Sequence, residues 1–158
     1  MRKILKATLV GAMSAGLLFG ASVPAHAGAS YGFNIATSFS KYMANDGKAH
    51  AKGTINFHGK WAFTANVGVR DLCASTGKGD GFGAYSTVRV RYMDGSTVGY
   101  WGGRDTNGCG TRFEWKKKYH NHGKKVRWVQ MAVVEYDADT GYGADRAVSR
   151  RIDNPYTG

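Results

Sequence analysis

The sequence predicts an all-β protein: an antiparallel β-sandwich of about seven strands with one disulfide, a flattened β-barrel being the alternative. Three observations carry this expectation. From residue 52 onward the apolar residues recur with a period of two rather than 3.6. Gly is abundant, at 23 residues, and Pro scarce, at 2, which suits frequent tight turns and not a Pro-rich linker. No segment of useful length carries an amphipathic helical pattern.

The first strand runs from Gly53 to His58, with Ile55 and Phe57 on one face, and His58-Gly59-Lys60 reads as a hairpin turn. In the second, Trp61, Phe63, Ala65, Val67 and Val69 alternate with Ala62, Thr64, Asn66, Gly68 and Arg70, the mark of a half-buried strand. Residues 74–83 are turn-forming and read as a loop. The third strand covers about 84–93, where Val88, Val90 and Tyr92 alternate with Thr87, Arg89 and Arg91. Asp94-Gly95 is the strongest hairpin signal in the chain and leads to a fourth strand through Val98, Tyr100 and Trp101. Residues 102–110 read as a loop holding Cys109.

The fifth strand, 111–119, puts Phe113, Trp115 and Tyr119 on one face and Arg112, Glu114, Lys116 and Lys118 on the other. A turn at His120-Asn121-His122-Gly123 joins it to the sixth, 125–136, so residues 112–127 read as one hairpin. Trp128, Ala132, Val134 and Tyr136 there alternate with Val129, Met131 and Val133; apolar residues on both faces predict a central strand. A seventh strand covers about 146–152, ended by Asn154-Pro155. Residues 31–48 admit either a short helix through Phe39, Tyr42 and Met43 or an extra edge strand through Phe33 and Ile35.

Residues 1–27 have the pattern of a removable export signal. Arg2, Lys3 and Lys6 make the positive start, an apolar run follows, and Ala25-His26-Ala27 is a small-x-small cleavage site. The expectation is a secreted, extracellular protein: the signal, a segment at 28–50 of undetermined structure, and a β-sandwich domain at 51–158. Export makes a disulfide between Cys73 and Cys109 the natural state of these two cysteines, stabilising by about 3–4 kcal/mol in the chain-entropy picture. Without CxxC spacing the pair makes a poor zinc or redox motif.

The net charge of +11 falls to about +8 without Arg2, Lys3 and Lys6, so anionic polymers and surfaces are the expected partners. The sharpest basic feature is the 112–127 segment. Arg112, Lys116, Lys117, Lys118, Lys124, Lys125 and Arg127 face the single acid Glu114, with Trp115 and Tyr119 among them. Protective charge on an edge strand explains the same residues without a ligand, and the alternation places Trp115 and Tyr119 on the core side. Trp61, Trp115 and Trp128 all read as core; Trp101, beside Gly102-Gly103, is the exposed candidate for stacking on a sugar.

Other chemistry is weaker. His120-Asn121-His122 resembles the HNH nuclease motif in letters only, and two His on a turn without a neighbouring acid make a poor metal site. Asp139-Thr140-Gly141 matches the aspartic-protease triplet but has neither a second copy nor room for the rest of a lobe. Asp137, Asp139 and Asp145 lack the EF-hand spacing and read as turn builders. No Gly-x-Ser-x-Gly elbow is present. An acid–base pair for a secreted nuclease could come from His50, His58, Glu114 and Glu135, whose spacing does not require it; loss of turnover in His58 or His122 variants would reveal such an enzyme. Glu135 is expected to meet Arg89 or Arg91 across the sheet. No catalytic residue, metal ligand or cofactor is therefore assigned.

Val67-Gly68-Val69-Arg70-Asp71, the stretch from Gly81 to Tyr92 with its Val88-Arg89-Val90-Arg91-Tyr92 strand, and Asp94-Gly95 together resemble small secreted β-sandwich proteins of actinobacteria, most without an assigned function. The resemblance spans roughly residues 50–136. It implies the fold and the export route and carries no site residue across.

The functional expectation is a secreted, non-enzymatic protein that attaches to an anionic polymer or cell-surface component through the 112–127 hairpin, helped by Arg150 and Arg151. A carbohydrate-binding module acting through Trp101 and a small secreted nuclease or other hydrolase are the alternatives, and an antibacterial or inhibitor role belongs beside the first.

Overall fold

The structure, a computed structural model, describes residues 28–38, 47–73, 82–106, 108–110, 112–137, 139 and 141–158. The expected export signal at 1–27, Phe39, Tyr42 and Met43 of the expected alternative helix, and most of the 74–83 loop lie outside the described residues. Nine strands are described: β1 (Ala29–Ala36), β2 (Lys48–Phe57), β3 (Ala62–Leu72), β4 (Phe82–Tyr92), β5 (Thr97–Arg104), β6 (Glu114–Asn121), β7 (Val126–Asp137), β8 (Gly143–Val148) and β9 (Ile152–Asp153). They form two antiparallel sheets, one ordered β1-β2-β3-β6 and the other β5-β4-β7-β8, with β9 pairing the start of β7. The sheets pack as a sandwich and neither closes into a barrel.

Alternation sets the core. Ile55 and Phe57 of β2, Phe63, Val67 and Val69 of β3, Val88 and Val90 of β4, and Val129, Met131 and Val133 of β7 are essentially inaccessible and meet between the sheets. β7 bonds β4 on one side and β8 and β9 on the other, the central place its two apolar faces require. The edge strand through Phe33 and Ile35 forms as β1, in register with β2 from Ala29 opposite Phe57 to Ala36 opposite His50.

The expected turns form at His58-Gly59-Lys60 and Asp94-Gly95. In the latter, Gly95 adopts φ 87° and the Tyr92 N–H donates to the Ser96 carbonyl at 3.0 Å. β5 extends through Gly102, Gly103 and Arg104, where a loop is expected, so Trp101 sits within a strand. The Cys73–Cys109 disulfide is present and ties the end of β3 to the segment after β5, one from each sheet.

One expectation about pairing is corrected. β6 and β7 do not form a hairpin: β6 pairs with β3 in one sheet and β7 with β4 in the other, so residues 112–127 cross between the layers. Alternation reports which residues share a face of a strand, not which strand lies alongside.

Candidate anion-binding site

The crossing divides the expected basic cluster. Arg112 is exposed just before β6. Lys116 and Lys118 lie opposite Val67 and Ala65, on the inward side of an edge strand that still leaves them exposed. Lys117 projects from the opposite face of the same sheet, between Trp115 and Tyr119. Lys124 is engaged with Asp94 at 2.8 Å, and its bond, with those from Ser96, holds the Asp94 carboxyl well below the usual carboxylate range. Lys125 is spent on the Trp61 ring, 5.6 Å from its centroid.

Lys116 and Lys117 line a depression of about 490 Å³ with Arg104 and the acid Glu114, whereas Arg127 joins a larger group of arginines. Arg91 pairs with Trp128 and Tyr92 with Val126, so Arg127 is the extra residue of a β-bulge. Its side chain lines a cleft of about 450 Å³ with Arg89, Arg91, Arg151, Trp128, Thr97 and the acid Asp153. The cleft lies on the outer face of the second sheet. β4 turns Val88 and Val90 inward, and the same alternation turns Arg89 and Arg91 outward. Arg151 and Arg89 flank the Trp128 ring with guanidinium carbons 5.0 and 6.0 Å from its centroid. The Arg91 Nη1 donates to Thr97 Oγ1 at 3.0 Å. Arg150 is exposed but does not line the cleft.

The cleft continues across the sheet. A depression of about 490 Å³ shares Arg89 and Thr97 with it and adds Tyr85, Trp101 and Arg146. A third, of about 540 Å³, shares Tyr85, Thr87 and Arg146 with the second. Among the described residues no lysine lines any of the three, and the acids that do are Asp153 and Asp145. Trp101 is 62% exposed and leans on Tyr85, with ring centroids 4.9 Å apart. Farther along, Arg104 stacks on Tyr136 and donates from Nε to its hydroxyl at 2.6 Å. The result is a groove of arginines and aromatic rings, with guanidiniums fixed against rings and free to fork onto an anion.

Three core assignments change. Trp128 is buried, but Trp61 is 45% exposed and Trp115 54% exposed. Trp115 and Tyr119 pair with Gly68 and Thr64, which face away from the sandwich interior. The register of β6 on β3 is the reason: it sets Glu114, Lys116, Lys118 and His120 on the inward side, so the aromatic face of this edge strand points outward. Glu135 does not meet Arg89 or Arg91. It is fully buried on the inward side of β7 opposite Ala84, whereas the two arginines point outward.

The candidate acid–base residues are dispersed. His50 bonds Asn34 at 2.5 Å and accepts from Arg70 Nε at 3.2 Å, and His58 bonds Thr64 at 2.7 Å; both lie on the outer face of the first sheet. His122 stacks on Tyr100, Glu114 accepts from Thr106 Oγ1 at 2.9 Å, and Glu135 is interior. Asp137 accepts the Asp139 N–H of its own loop at 2.8 Å, as a turn builder does, whereas Asp145 lies within β8, accepts the Arg146 N–H at 2.6 Å and the Ser38 N–H at 3.2 Å, and so ties β8 to the end of β1 instead of building a turn. Among the described residues the grouping of three metal-capable side chains is Asp71, Cys73 and Cys109, whose two sulfurs are joined to each other. No helix among the described residues is long and apolar enough to cross a membrane.

Compared with known proteins, the chain matches no family model, and no curated protein or solved structure matches it significantly.

Proposed function

We propose that this is an exported, non-enzymatic binding protein that holds an anionic polymer in the arginine groove of the β5-β4-β7-β8 sheet. The observation that carries the reading is the convergence of Arg89, Arg91, Arg127 and Arg151 around Trp128, with Asp153 the one acid in the cleft. A surface charged for solubility alone scatters its cations. Here the register bulge turns a fourth arginine into the cleft and two guanidiniums are fixed against one indole, so their ordering entropy is spent before a ligand arrives. Export rests on the basic and apolar start of the chain and its Ala25-His26-Ala27 site, and it makes the partner an extracellular polymer or surface component.

The test is retention on immobilised polyphosphate over a salt gradient. About four phosphate contacts give a slope near −3 to −4 in log K against log salt. The Arg89→Ala, Arg91→Ala, Arg151→Ala triple variant is expected to elute at much lower salt. Replacing Lys116, Lys117, Lys124 and Lys125 by Ala is expected to shift elution modestly, because none of those side chains lines the arginine groove. If the arginine triple elutes with the wild type, the groove is not the site.

A second reading, a carbohydrate platform, is favoured by one observation: Trp115 and Tyr119 stand exposed on the outer face of the first sheet beside Asn66 and Thr64. It predicts salt-tolerant retention on insoluble polysaccharide that is lost in Tyr119→Ala.

A further inference from the structure

We infer that the polymer is a single-stranded nucleic acid, and that a nucleobase lies in the slot over Gly99 between Trp101 and Arg89. The inference rests on the anionic-polymer reading and sharpens it in two steps.

The first step is hydrogen-bond chemistry. An arginine side chain offers five donors and no acceptor. Arg89, Arg91, Arg127, Arg146 and Arg151 line the groove against two carboxylates, Asp153 and Asp145, the latter already accepting the Ser38 and Arg146 N–H groups, and Thr97 accepts from Arg91. Such a surface suits a ligand rich in acceptors and poor in donors. A phosphodiester chain is that ligand. A polysaccharide, acidic or not, presents many hydroxyl donors that would find few acceptors here and would lose their water uncompensated.

The second step is shape. A bare phosphate polymer needs no flat apolar surface, yet the groove provides one. Thr97, Gly99 and Trp101 share the outward face of β5, and Gly99 stands directly opposite Arg89. A Cβ built on Gly99 would meet nothing within 4 Å, so the space above it is open. Trp101 bounds that space on one side with most of its indole exposed, supported from behind by Tyr85. Arg89, opposite Gly99 on β4, lines the same depression across the strand pair. An aromatic ring and a guanidinium beside an open floor are the surfaces on which an unpaired base stacks, while the arginines toward Trp128 receive the phosphates. Arg89 and Arg91 are two residues apart on one strand, a pitch of about 7 Å, of the order of the phosphate spacing along an extended single strand.

The experiment compares three probes by fluorescence anisotropy at fixed salt: a labelled oligothymidylate, an abasic deoxyribose-phosphate strand of equal length, and long-chain polyphosphate. Oligothymidylate is expected to bind at least about fivefold tighter than the abasic strand, the effect of one stacked base. Trp101→Ala and Gly99→Val should each erase that difference and leave the abasic strand and polyphosphate unchanged. Gly99 lies in an edge strand with open space above it, so Gly99→Val fills the slot without disturbing the fold, and an unchanged thermal midpoint checks this. Equal affinity for the base-bearing and abasic strands overturns the inference while leaving the anionic-polymer reading intact. So does a heparin fragment that binds more tightly than oligothymidylate and depends on Trp101. Failure of all the polyanions to bind overturns both.

Discussion

Trp115 lies over Gly68: a Cβ added at Gly68 would sit 2.9 Å from the indole Cε2, closer than carbon atoms approach. The two residues face each other across β3 and β6, and the ring covers the backbone that glycine leaves bare. Gly68→Ala should therefore lift the indole and cost about 1–3 kcal/mol, and Trp115→Ala should cost a similar amount by uncovering the strand. Because each change destroys the same contact, the double variant should lose little more than either single one. Additive losses in urea unfolding would show that the contact is not the source.

His120 is buried at the open edge of the sandwich, stacked on Phe63 with centroids 4.7 Å apart and against Tyr100 at 4.9 Å. Burial, aided by the charges of His122 and Lys118, lowers its pKa from 6.5 to about 4. The unfolded chain takes up the proton first, so this contribution is whole above about pH 6.5 and is lost as the pH falls toward 4. The loss should be roughly 1–3 kcal/mol, discounted for water at the strand edge. His120→Phe should keep the stack and flatten the pH dependence between 4 and 6.5. Some slope should remain from His50, whose pKa burial and then Arg70 also lower. An undiminished slope in His120→Phe would place the titration elsewhere.

What the sequence made legible follows from the range of its signals. Val88-Arg89-Val90-Arg91 states that two arginines share an outward face, because alternation is local to one strand. The Asp94-Gly95 turn is equally local and was readable for that reason. That Arg127 and Arg151 join those arginines depends on β4 pairing with β7 and on a bulge in the register, both non-local. The 112–127 segment misled for the same reason. Two neighbouring strands with a turn between them resemble a hairpin until the rest of the chain decides which sheet each one enters. Trp115 shows a further limit: a strand with aromatics on one face and lysines on the other usually buries the aromatics, but at a sheet edge the inward side need not be the drier one.

The Cys73–Cys109 bridge joins a corner that backbone bonds also tie. The Asp71 N–H donates to the Asp105 carboxylate at 2.6 Å, and the Gly110 N–H reaches the Asp71 carbonyl at 3.4 Å. Closing a loop across a sequence separation of 36 should contribute about 3–4 kcal/mol. The Cys73→Ser, Cys109→Ser double variant should lower the thermal midpoint by several degrees and match the reduced wild type. A midpoint unchanged by either treatment would mean that the hydrogen bonds alone hold the corner.

Asn154 fastens the two sheets at the other end. Its buried amide nitrogen donates to the Gly59 carbonyl and to the Val126 carbonyl, each at 3.0 Å, and its oxygen accepts the Tyr156 N–H at 3.1 Å. Gly59 belongs to the turn of the first sheet and Val126 opens β7 of the second, so one side chain bridges the layers. The Val126 N–H donates to the Lys60 carbonyl at 2.7 Å beside it. Asn154→Ala should cost about 1–3 kcal/mol, because the Gly59 carbonyl loses the Asn154 donor and the Val126 carbonyl keeps only the Thr157 hydroxyl, at 3.0 Å, of its two side-chain donors. Asn154→Asp should cost at least as much despite its matching shape, since it replaces the shared donor with an acceptor aimed at two acceptors. Denaturant midpoints of the two variants separate the explanations. If Asp restores most of what Ala loses, the side chain acts by filling space; if both fall together, its N–H bonds hold this end of the sandwich.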